Sequence, residues 1–392
     1  MPVTITNPEI QKFIRSNAGT SITHLALQKN PFPDVAWTDI LNQIAARDKA
    51  KDKLPTWFKA EGIIYPSKIS VEQTSSEVTA QYKASLVFGK SLIDLTGGFG
   101  VDDYYFAANI DEVAHCEMNK ELSAIAAHNF KILKKKNIKC HAGDSLDILK
   151  SLGTGWDWIY IDPARRNDAK GKVFMLKDCL PNVPGLLDVY FEYTDNILIK
   201  TAPLLDISAG LDELHFVKEI YIVALNNEVK ELLWKLEKGF TGQPLVYAVN
   251  LSKEGEPEVF STKLQDDETV NYVLPQKYLY EPNSAIMKSG AFNAVANTFN
   301  LFKLHKHSQL YTSDSLINFP GRSFIINEIL SYSKPEMKKY AEGKKMNITV
   351  RNFPVSVDEL RKKWKIKEGG DTYAFFTTDK DNNKIMLLST KA

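Results

Sequence analysis

The sequence predicts an α/β protein in which helices cover a parallel sheet, followed by a smaller α+β domain. Short apolar runs alternate with helix-like stretches such as NKELSAIAAHNFKILKKK, which is typical of strand–helix–strand units. After residue 273, strand-like and helix-like patterns mix without that regular alternation. The seven predicted strands are 91–95, 112–117, 137–141, 156–161, 196–200, 217–225 and 244–251.

The chain before the first strand is predicted to be mostly helical. Apolar residues recur three and four positions apart in PEIQKFIRS, SITHLALQK and WTDILNQIAARDKAKDKL, and NPFPD separates the second stretch from the third. The following segment, SKISVEQTSSEVTAQYKASLVFG, predicts a short extended piece that leads into a helix. Ser75 or Ser76 is the expected N-cap of that helix, with Glu77 in its first turn.

The end of the sheet is predicted from two segments. NEVKELLWKLEKG, residues 227–239, is predicted to be a helix between the last two strands, and the polar stretch 252–271 is predicted to be a linker. We therefore expect a helical region over residues 1–72, a sheet domain over 73–252 and an α+β domain over 273–392.

Composition indicates a globular protein of the cytoplasm. Of 392 residues, 44% are apolar and 25% are charged, and no apolar run approaches the ~20 residues that span a bilayer. The first residues, MPVTITNPEIQKF, lack the basic and apolar stretches of a signal peptide. Cys116, Cys140 and Cys179 form neither a disulfide framework nor a metal-type pair, so we expect a reducing compartment and no metal.

The near-neutral net charge hides an asymmetry along the chain. Residues 281–392 hold 18 Lys and Arg against 11 Asp and Glu, whereas the preceding 280 residues hold 31 against 37. A basic region on a mildly acidic body is suited to a polyanion such as RNA, because neutralised phosphates release counterions. A solvated basic surface without a partner is the alternative.

A glycine-rich turn is the strongest local motif. In SLIDLTGGFGVDDYYFA, a predicted strand ends at Asp94 and a helix begins near Val101. Gly98 and Gly100 allow the backbone to approach a ligand or to adopt positive φ. The turn also presents a helix N-terminus to an anionic group. The alternative is a turn that only connects two elements.

Three acidic residues follow later strands. Glu117 ends the second strand, Asp144 follows the third and Asp162 follows the fourth. The carboxyl ends of parallel strands meet at one edge of a sheet, where open α/β folds bind ligands. A carboxylate in the position of Glu117 can accept from both hydroxyls of a ribose. Alternatively, each residue is a helix cap or a surface charge.

These motifs together resemble a known family. DLTGGFGVD, CEMNKELSAIAAHN, AGDSLDIL and IDPAR resemble the class I S-adenosylmethionine-dependent methyltransferases, whose core is a Rossmann-like domain of seven strands. SVEQTSSEVTAQYKA resembles the segment before the first strand in trimethylguanosine-synthase-like RNA guanine-N2 methyltransferases. YLYEPNSAIMKSG resembles the opening of a THUMP-like domain. The resemblance covers residues 70–250 well and 278–392 loosely.

The resemblance assigns roles to individual residues. It implies that Asp94, Gly98 and Gly100 hold the methionine part of S-adenosylmethionine, that Glu117 binds the ribose and that Asp144 binds the adenine. Asp162 is expected beside the methyl group and the acceptor. Ser75, Thr96 and Asp102 complete the expected cofactor-binding set, and Asp162, Pro163 and Arg165 form the expected catalytic set.

The chain departs from the family pattern at two places. Thr96 stands where the family has its first glycine. After Asp162-Pro163, enzymes that methylate amino groups usually have a second proline and an aromatic residue, whereas this chain has Ala164-Arg165-Arg166. An arginine can stack on a base or hold a phosphate. Surface charge or an internal ion pair is the alternative for the two arginines.

Two other functions are compatible with parts of this pattern. A nicotinamide-dependent oxidoreductase uses a similar turn, but Asp102 and Asp103 are poor neighbours for a pyrophosphate. A protein that binds the cofactor and RNA without catalysis is the second alternative, because the aromatic residue after Asp162 is missing. A Cys179 nucleophile and a zinc site at His305 and His307 are less consistent with the sequence.

Overall fold

The computed structural model describes residues 3–153, 155–165, 175–253, 255–264 and 269–392. The chain divides into two compact units, Met1–Lys218 with Glu231–Gly242 and Glu219–Lys230 with Gln243–Ala392. Among the described helices, none has the length and apolar character needed to span a membrane.

The regular elements are numbered in chain order. The helices are α1 (Pro8–Ser16), α2 (Ile22–Ala26), α3 (Trp37–Lys53), α4 (Pro55–Lys59), α5 (Lys68–Gln73), α6 (Glu77–Ser85), α7 (Val101–Phe106), α8 (Lys120–Ile132), α9 (Ser145–Leu152), α10 (Val183–Tyr190), α11 (Ile207–Glu213), α12 (Ser284–Ser289), α13 (Phe292–Thr298), α14 (Lys334–Tyr340) and α15 (Val357–Trp364). The strands are β1 (Gly89–Asp94), β2 (Ile110–Glu117), β3 (Ile138–Ala142), β4 (Trp158–Ile161), β5 (Ala164–Arg165), β6 (Cys179–Leu180), β7 (Asn196–Thr201), β8 (Val217–Leu225), β9 (Glu228–Glu237), β10 (Leu245–Leu251), β11 (Glu258–Lys263), β12 (Tyr278–Pro282), β13 (Phe302–Lys303), β14 (Tyr311–Ser313), β15 (Gly321–Ser331), β16 (Asn347–Val350), β17 (Tyr373–Thr378) and β18 (Lys384–Lys391). Short 3-10 turns lie at Val3–Thr6 and Leu176–Asp178.

The predicted helical start of the chain is confirmed, with one correction. Helices α1 to α3 form as the apolar spacing predicts, and the short helix α4 follows them. Residues 68–73, predicted to be extended, form helix α5, because Ser67 caps this short helix by accepting from the backbone N–H of Ser70 at 3.2 Å. Ser76, and not Ser75, caps α6 by accepting from the N–H of Thr79 at 3.2 Å.

A mainly parallel sheet forms the centre of the first unit. Its strand order is β9-β7-β4-β1-β2-β3, and all of these strands are parallel except β9, which lies antiparallel to β7. Leu92, Ile159 and Ile197 on the central strands are fully buried, which explains their continuous apolar sequences. The parallel strands all end at one edge, so the residues that follow them are brought together there.

Residues 227–239, predicted to be a helix, form strand β9 instead. Asn226 and Asn227 have φ values of +52° and +63°, the conformation that a two-residue hairpin turn requires. Leu232, Leu233 and Trp234 are consecutive and fully buried. A strand buried on both faces carries such an unbroken apolar run, which helical spacing rules do not separate from a buried helix.

The second unit contains two groups of strands. Strand β10 pairs parallel with β8 and antiparallel with β11, so part of the predicted linker 252–271 is a strand. A sheet of seven strands in the order β13-β14-β12-β15-β18-β17-β16 forms the rest and confirms the expected mixed α+β domain. One of its cores includes Met337 on α14 and Leu360 on α15.

Candidate functional site

A cavity of about 700 Å³ lies at the carboxyl edge of the sheet in the first unit. It has the size of a small-molecule site. Nine of the residues expected at the site line it, namely Ser75, Asp94, Thr96, Gly98, Gly100, Asp102, Glu117, Asp144 and Asp162. Pro163 is buried beside Asp162 but does not line the cavity. Only the backbone of Arg165 is described, and Arg166 lies outside the described residues.

The glycine-rich turn after β1 forms one wall. The carboxylate of Asp94 accepts from the backbone N–H of Thr96 at 2.7 Å and from its hydroxyl at 3.0 Å, which fixes the start of the turn. Gly98 and Gly100 have φ values of +55° and +79°. A Cβ at Gly100 would overlap the ring of Phe130, so this position requires glycine for space as well as for conformation.

Glu117 is held at the end of β2 by backbone groups. Its carboxylate accepts from the N–H of Gly98 at 3.0 Å and from the N–H of Asn119 at 2.7 Å. Each bond uses a different oxygen. Because a carboxylate oxygen has two lone pairs, both oxygens retain the capacity to accept from a ligand hydroxyl.

Asp144 is a helix cap as well as a cavity residue. One oxygen of its carboxylate, Oδ1, accepts from the backbone N–H groups of Leu146 and Asp147 at 3.0 and 3.1 Å and so caps α9. The cap that the sequence left open as an alternative is therefore present. Tyr190, which is 1% exposed, lines the same cavity.

Asp162 is fixed by two partners. Its backbone N–H donates to the hydroxyl of Thr96 at 2.7 Å, and its carboxylate accepts from Nζ of Lys200 at 2.5 Å. The side chain of Asp162 remains 37% exposed. Burial lowers the pKa of Lys200, but the nearby carboxylates of Asp162, Glu231 and Asp102 outweigh burial and raise that pKa above its ordinary value.

Asp102 belongs to a buried charge cluster behind the cavity. Its Oδ2 accepts from the hydroxyls of Ser75 at 3.0 Å and Tyr160 at 2.8 Å, and its Oδ1 lies 3.2 Å from Nζ of Lys83. Lys83 also donates to both oxygens of Glu231 at 2.9 and 3.0 Å. Burial alone would raise the pKa of Asp102, but the nearby lysines and these hydroxyls hold it below its ordinary value.

A second buried cluster lies under the turn. Nδ1 of His115 and a carboxylate oxygen of Asp103 are 2.5 Å apart, and both side chains are fully buried. Burial is the main cause that raises the pKa of Asp103 and Asp94 well above the ordinary value and lowers that of His115. Sequence analysis missed Lys83, Lys200, Glu231 and His115, because no local pattern marks a residue whose partner is distant in the chain.

One solved structure covers the whole molecule. The crystal structure of a "putative methyltransferase" from Porphyromonas gingivalis W83 is 32% identical to the chain, covers 98% of this chain and 98% of its own, and superposes with a TM-score of 0.87. The chain belongs to this family. It has the class I methyltransferase fold and carries a THUMP-like domain.

Further matches concern parts of the chain. A ferredoxin-like domain family matches residues 278–320 of this family member, and a THUMP domain-like family matches residues 321–391. A "putative RNA methyltransferase" from Pyrococcus horikoshii is 21% identical, covers 39% of this chain and 74% of its own, and has a TM-score of 0.28. A "putative methyltransferase" from Streptococcus mutans in complex with SAH is 16% identical, covers 41% and 95%, and has a TM-score of 0.30. No curated protein matches the sequence.

Proposed function

We propose that the protein transfers a methyl group from S-adenosylmethionine to RNA. The observation that carries this proposal is the convergence of the expected residues on one cavity at the carboxyl edge of the sheet. Glu117 would accept from the ribose hydroxyls, and Asp144 would accept from the adenine amino group. The backbone at Gly98 and Gly100 would hold the methionine part together with Asp102.

The chemistry of the cavity lining supports this cofactor over a dinucleotide. Five carboxylates line the cavity, and no lysine or arginine is among the described lining residues. A pyrophosphate in such a lining would meet only like charge. S-adenosylmethionine carries a sulfonium, an ammonium and a single carboxylate, and no phosphate. Its net charge is therefore positive, which a lining of carboxylates favours. The nicotinamide-dependent alternative is therefore the weaker proposal.

The protein's part in the reaction is to place and hold the acceptor. When bound, the cofactor supplies an activated methyl group on sulfur, and in-line placement of the acceptor can supply most of the rate. Asp162, oriented by Lys200 and Thr96, would accept an N–H bond from an exocyclic amine and turn its lone pair towards the methyl group. Pro163 would fix the backbone there, and Arg165 stays a candidate for acceptor binding on its sequence position alone.

A basic surface on the second unit supports RNA as the acceptor. Residues 334–367, within the THUMP-like region, hold 11 Lys and Arg against 4 Asp and Glu. Nine lysines of this stretch are exposed and are called the basic surface here, namely Lys334, Lys338, Lys339, Lys344, Lys345, Lys362, Lys363, Lys365 and Lys367. Such a density of positive charge favours a phosphate backbone through counterion release.

Transfer of labelled methyl from S-adenosylmethionine to total RNA tests the proposal. The wild type should label RNA, whereas Asp162→Ala should not, although it should bind S-adenosylhomocysteine with nearly unchanged affinity. Binding of S-adenosylhomocysteine without transfer by the wild type would favour the non-catalytic alternative. An active Asp162→Ala variant would remove Asp162 from the mechanism.

Charge reversal on the basic surface tests RNA capture. Lys362→Glu/Lys363→Glu should weaken RNA binding and reduce the dependence of log K on log salt by roughly 0.7 for each lost phosphate contact. Lys12→Glu/Lys51→Glu, at exposed positions of the N-terminal helices, is the matched control for net charge. Equal losses in both variants would show that this surface has no special role.

A further inference from the structure

The buried charge cluster contains two residues that cannot touch a ligand in the cavity. Lys83 on α6 is fully buried, and Glu231 on β9 is 2% exposed. Neither is among the described lining residues, whereas their partners Ser75 and Asp102 are. The direct contacts of Lys83 therefore reach the cavity wall through Ser75 and Asp102.

The three donors of the Lys83 ammonium are all used. Nζ donates to Oγ of Ser75 at 2.9 Å and to the two carboxylate oxygens of Glu231 at 2.9 and 3.0 Å. It also lies 3.2 Å from Oδ1 of Asp102, with which it forms an ion pair without a hydrogen bond. A buried lysine without carboxylate partners would destabilise the folded protein. The members of this cluster therefore depend on one another. The geometry also fixes the Ser75 hydroxyl, which donates to Asp102 at 3.0 Å.

Charge balance explains why two carboxylates face one lysine. Lys83 alone would neutralise Asp102. Lys83, Asp102 and Glu231 together carry one net negative charge, and of these three groups only Asp102 is among the described residues that line the cavity. The nearby Lys200 is balanced by its own partner, Asp162. A ligand ammonium is the group that such a residual charge attracts in a poorly solvated site.

We propose that Lys83 and Glu231 are positioning residues, whose buried ion pair holds Asp102 and Ser75 in place for the ammonium of the cofactor's amino-acid end. The inference rests on the proposed cofactor. It adds that recognition of the amino-acid end depends on Glu231 of strand β9, which is distant in the sequence from the glycine-rich turn.

Two probes that differ only at the amino-acid end test the inference. S-adenosylhomocysteine has this end, whereas 5′-methylthioadenosine keeps the nucleoside and the thioether without it. Lys83→Met/Glu231→Leu removes both charges together, because removal of one would leave the other buried and unpaired. By calorimetry, the affinity for S-adenosylhomocysteine should fall at least about tenfold. The affinity for 5′-methylthioadenosine should stay within about twofold.

Two comparison variants complete the experiment. Asp102→Asn should show the same split between the probes, and adding it to the double variant should cause little further loss. Glu231→Gln has the same shape as the wild type and serves if the double variant does not fold. Its loss of S-adenosylhomocysteine affinity should be smaller and again confined to that probe.

The outcomes distinguish a failure of the positioning role from a failure of the proposed cofactor. An equal loss for both probes, or no loss for either, would overturn the positioning role while the wild type still binds S-adenosylhomocysteine. A wild type that binds neither probe would overturn the proposed cofactor and the positioning role with it.

Discussion

Asp144 caps α9, and we propose that it also binds the adenine; a pair of substitutions separates the two roles. Its Oδ1 accepts from the N–H groups of Leu146 and Asp147 at 3.0 and 3.1 Å, and the same carboxylate lines the cavity. Serine retains the N-cap function but is shorter by one atom and carries no charge. Alanine removes both the cap and the carboxylate.

The magnitudes follow from these contacts. Loss of an N-cap costs about 1 kcal/mol of stability. Loss of the acceptor for a buried adenine amino group costs about 1–3 kcal/mol, which is a Kd roughly 5- to 150-fold weaker. We expect Asp144→Ser to melt like the wild type and to bind S-adenosylhomocysteine more weakly by this factor. Asp144→Ala should lose both affinity and stability.

Calorimetry with S-adenosylhomocysteine and urea melts of the three proteins check this prediction. Wild-type affinity in Asp144→Ser would show that Asp144 does not bind the adenine. Equal stability of Asp144→Ser and Asp144→Ala would show that the cap contributes nothing measurable.

Other substitutions in the cavity wall test the turn and the buried charge. Gly100→Ala places a Cβ against the ring of Phe130 at positive φ and should lower the free energy of unfolding by about 2–4 kcal/mol. Gly98→Ala introduces only the backbone strain of a positive φ and should lower it by about 1 kcal/mol. Equal losses in urea melts would contradict this difference. Because the pKa of Asp102 is lowered in the folded protein, its charge adds stability above its ordinary pKa of 3.8, and this stability is lost as pH falls through the folded-state value. The difference in Tm between the wild type and Asp102→Asn should therefore become smaller at acid pH. A difference that stays constant between about pH 3 and pH 7 would argue against a charged Asp102 in the cluster.

The elements that sequence analysis predicted wrongly share a physical reason. Residues 227–239 have leucines at a spacing that a buried helix and a doubly buried strand both permit, and the neighbouring strand β7 decides in favour of the strand. The strand at 258–263 buries only Phe260 and forms through its pairing with β10. A strand that forms mainly through such pairing does not show a clear apolar pattern in the sequence.

By itself, the sequence determined the parallel strands, the glycine turn and the carboxylates that follow β2, β3 and β4. Each of these is local, because apolar runs mark the strands and the next polar residue marks the edge where they end. The tertiary structure alone decided the partners of those carboxylates. Lys83 meets Glu231 across 148 residues, and Lys200 meets Asp162 across 38. The strength of an ion pair depends on the distance and the burial that the fold gives its two groups, so its members cannot be recognised before the fold is known.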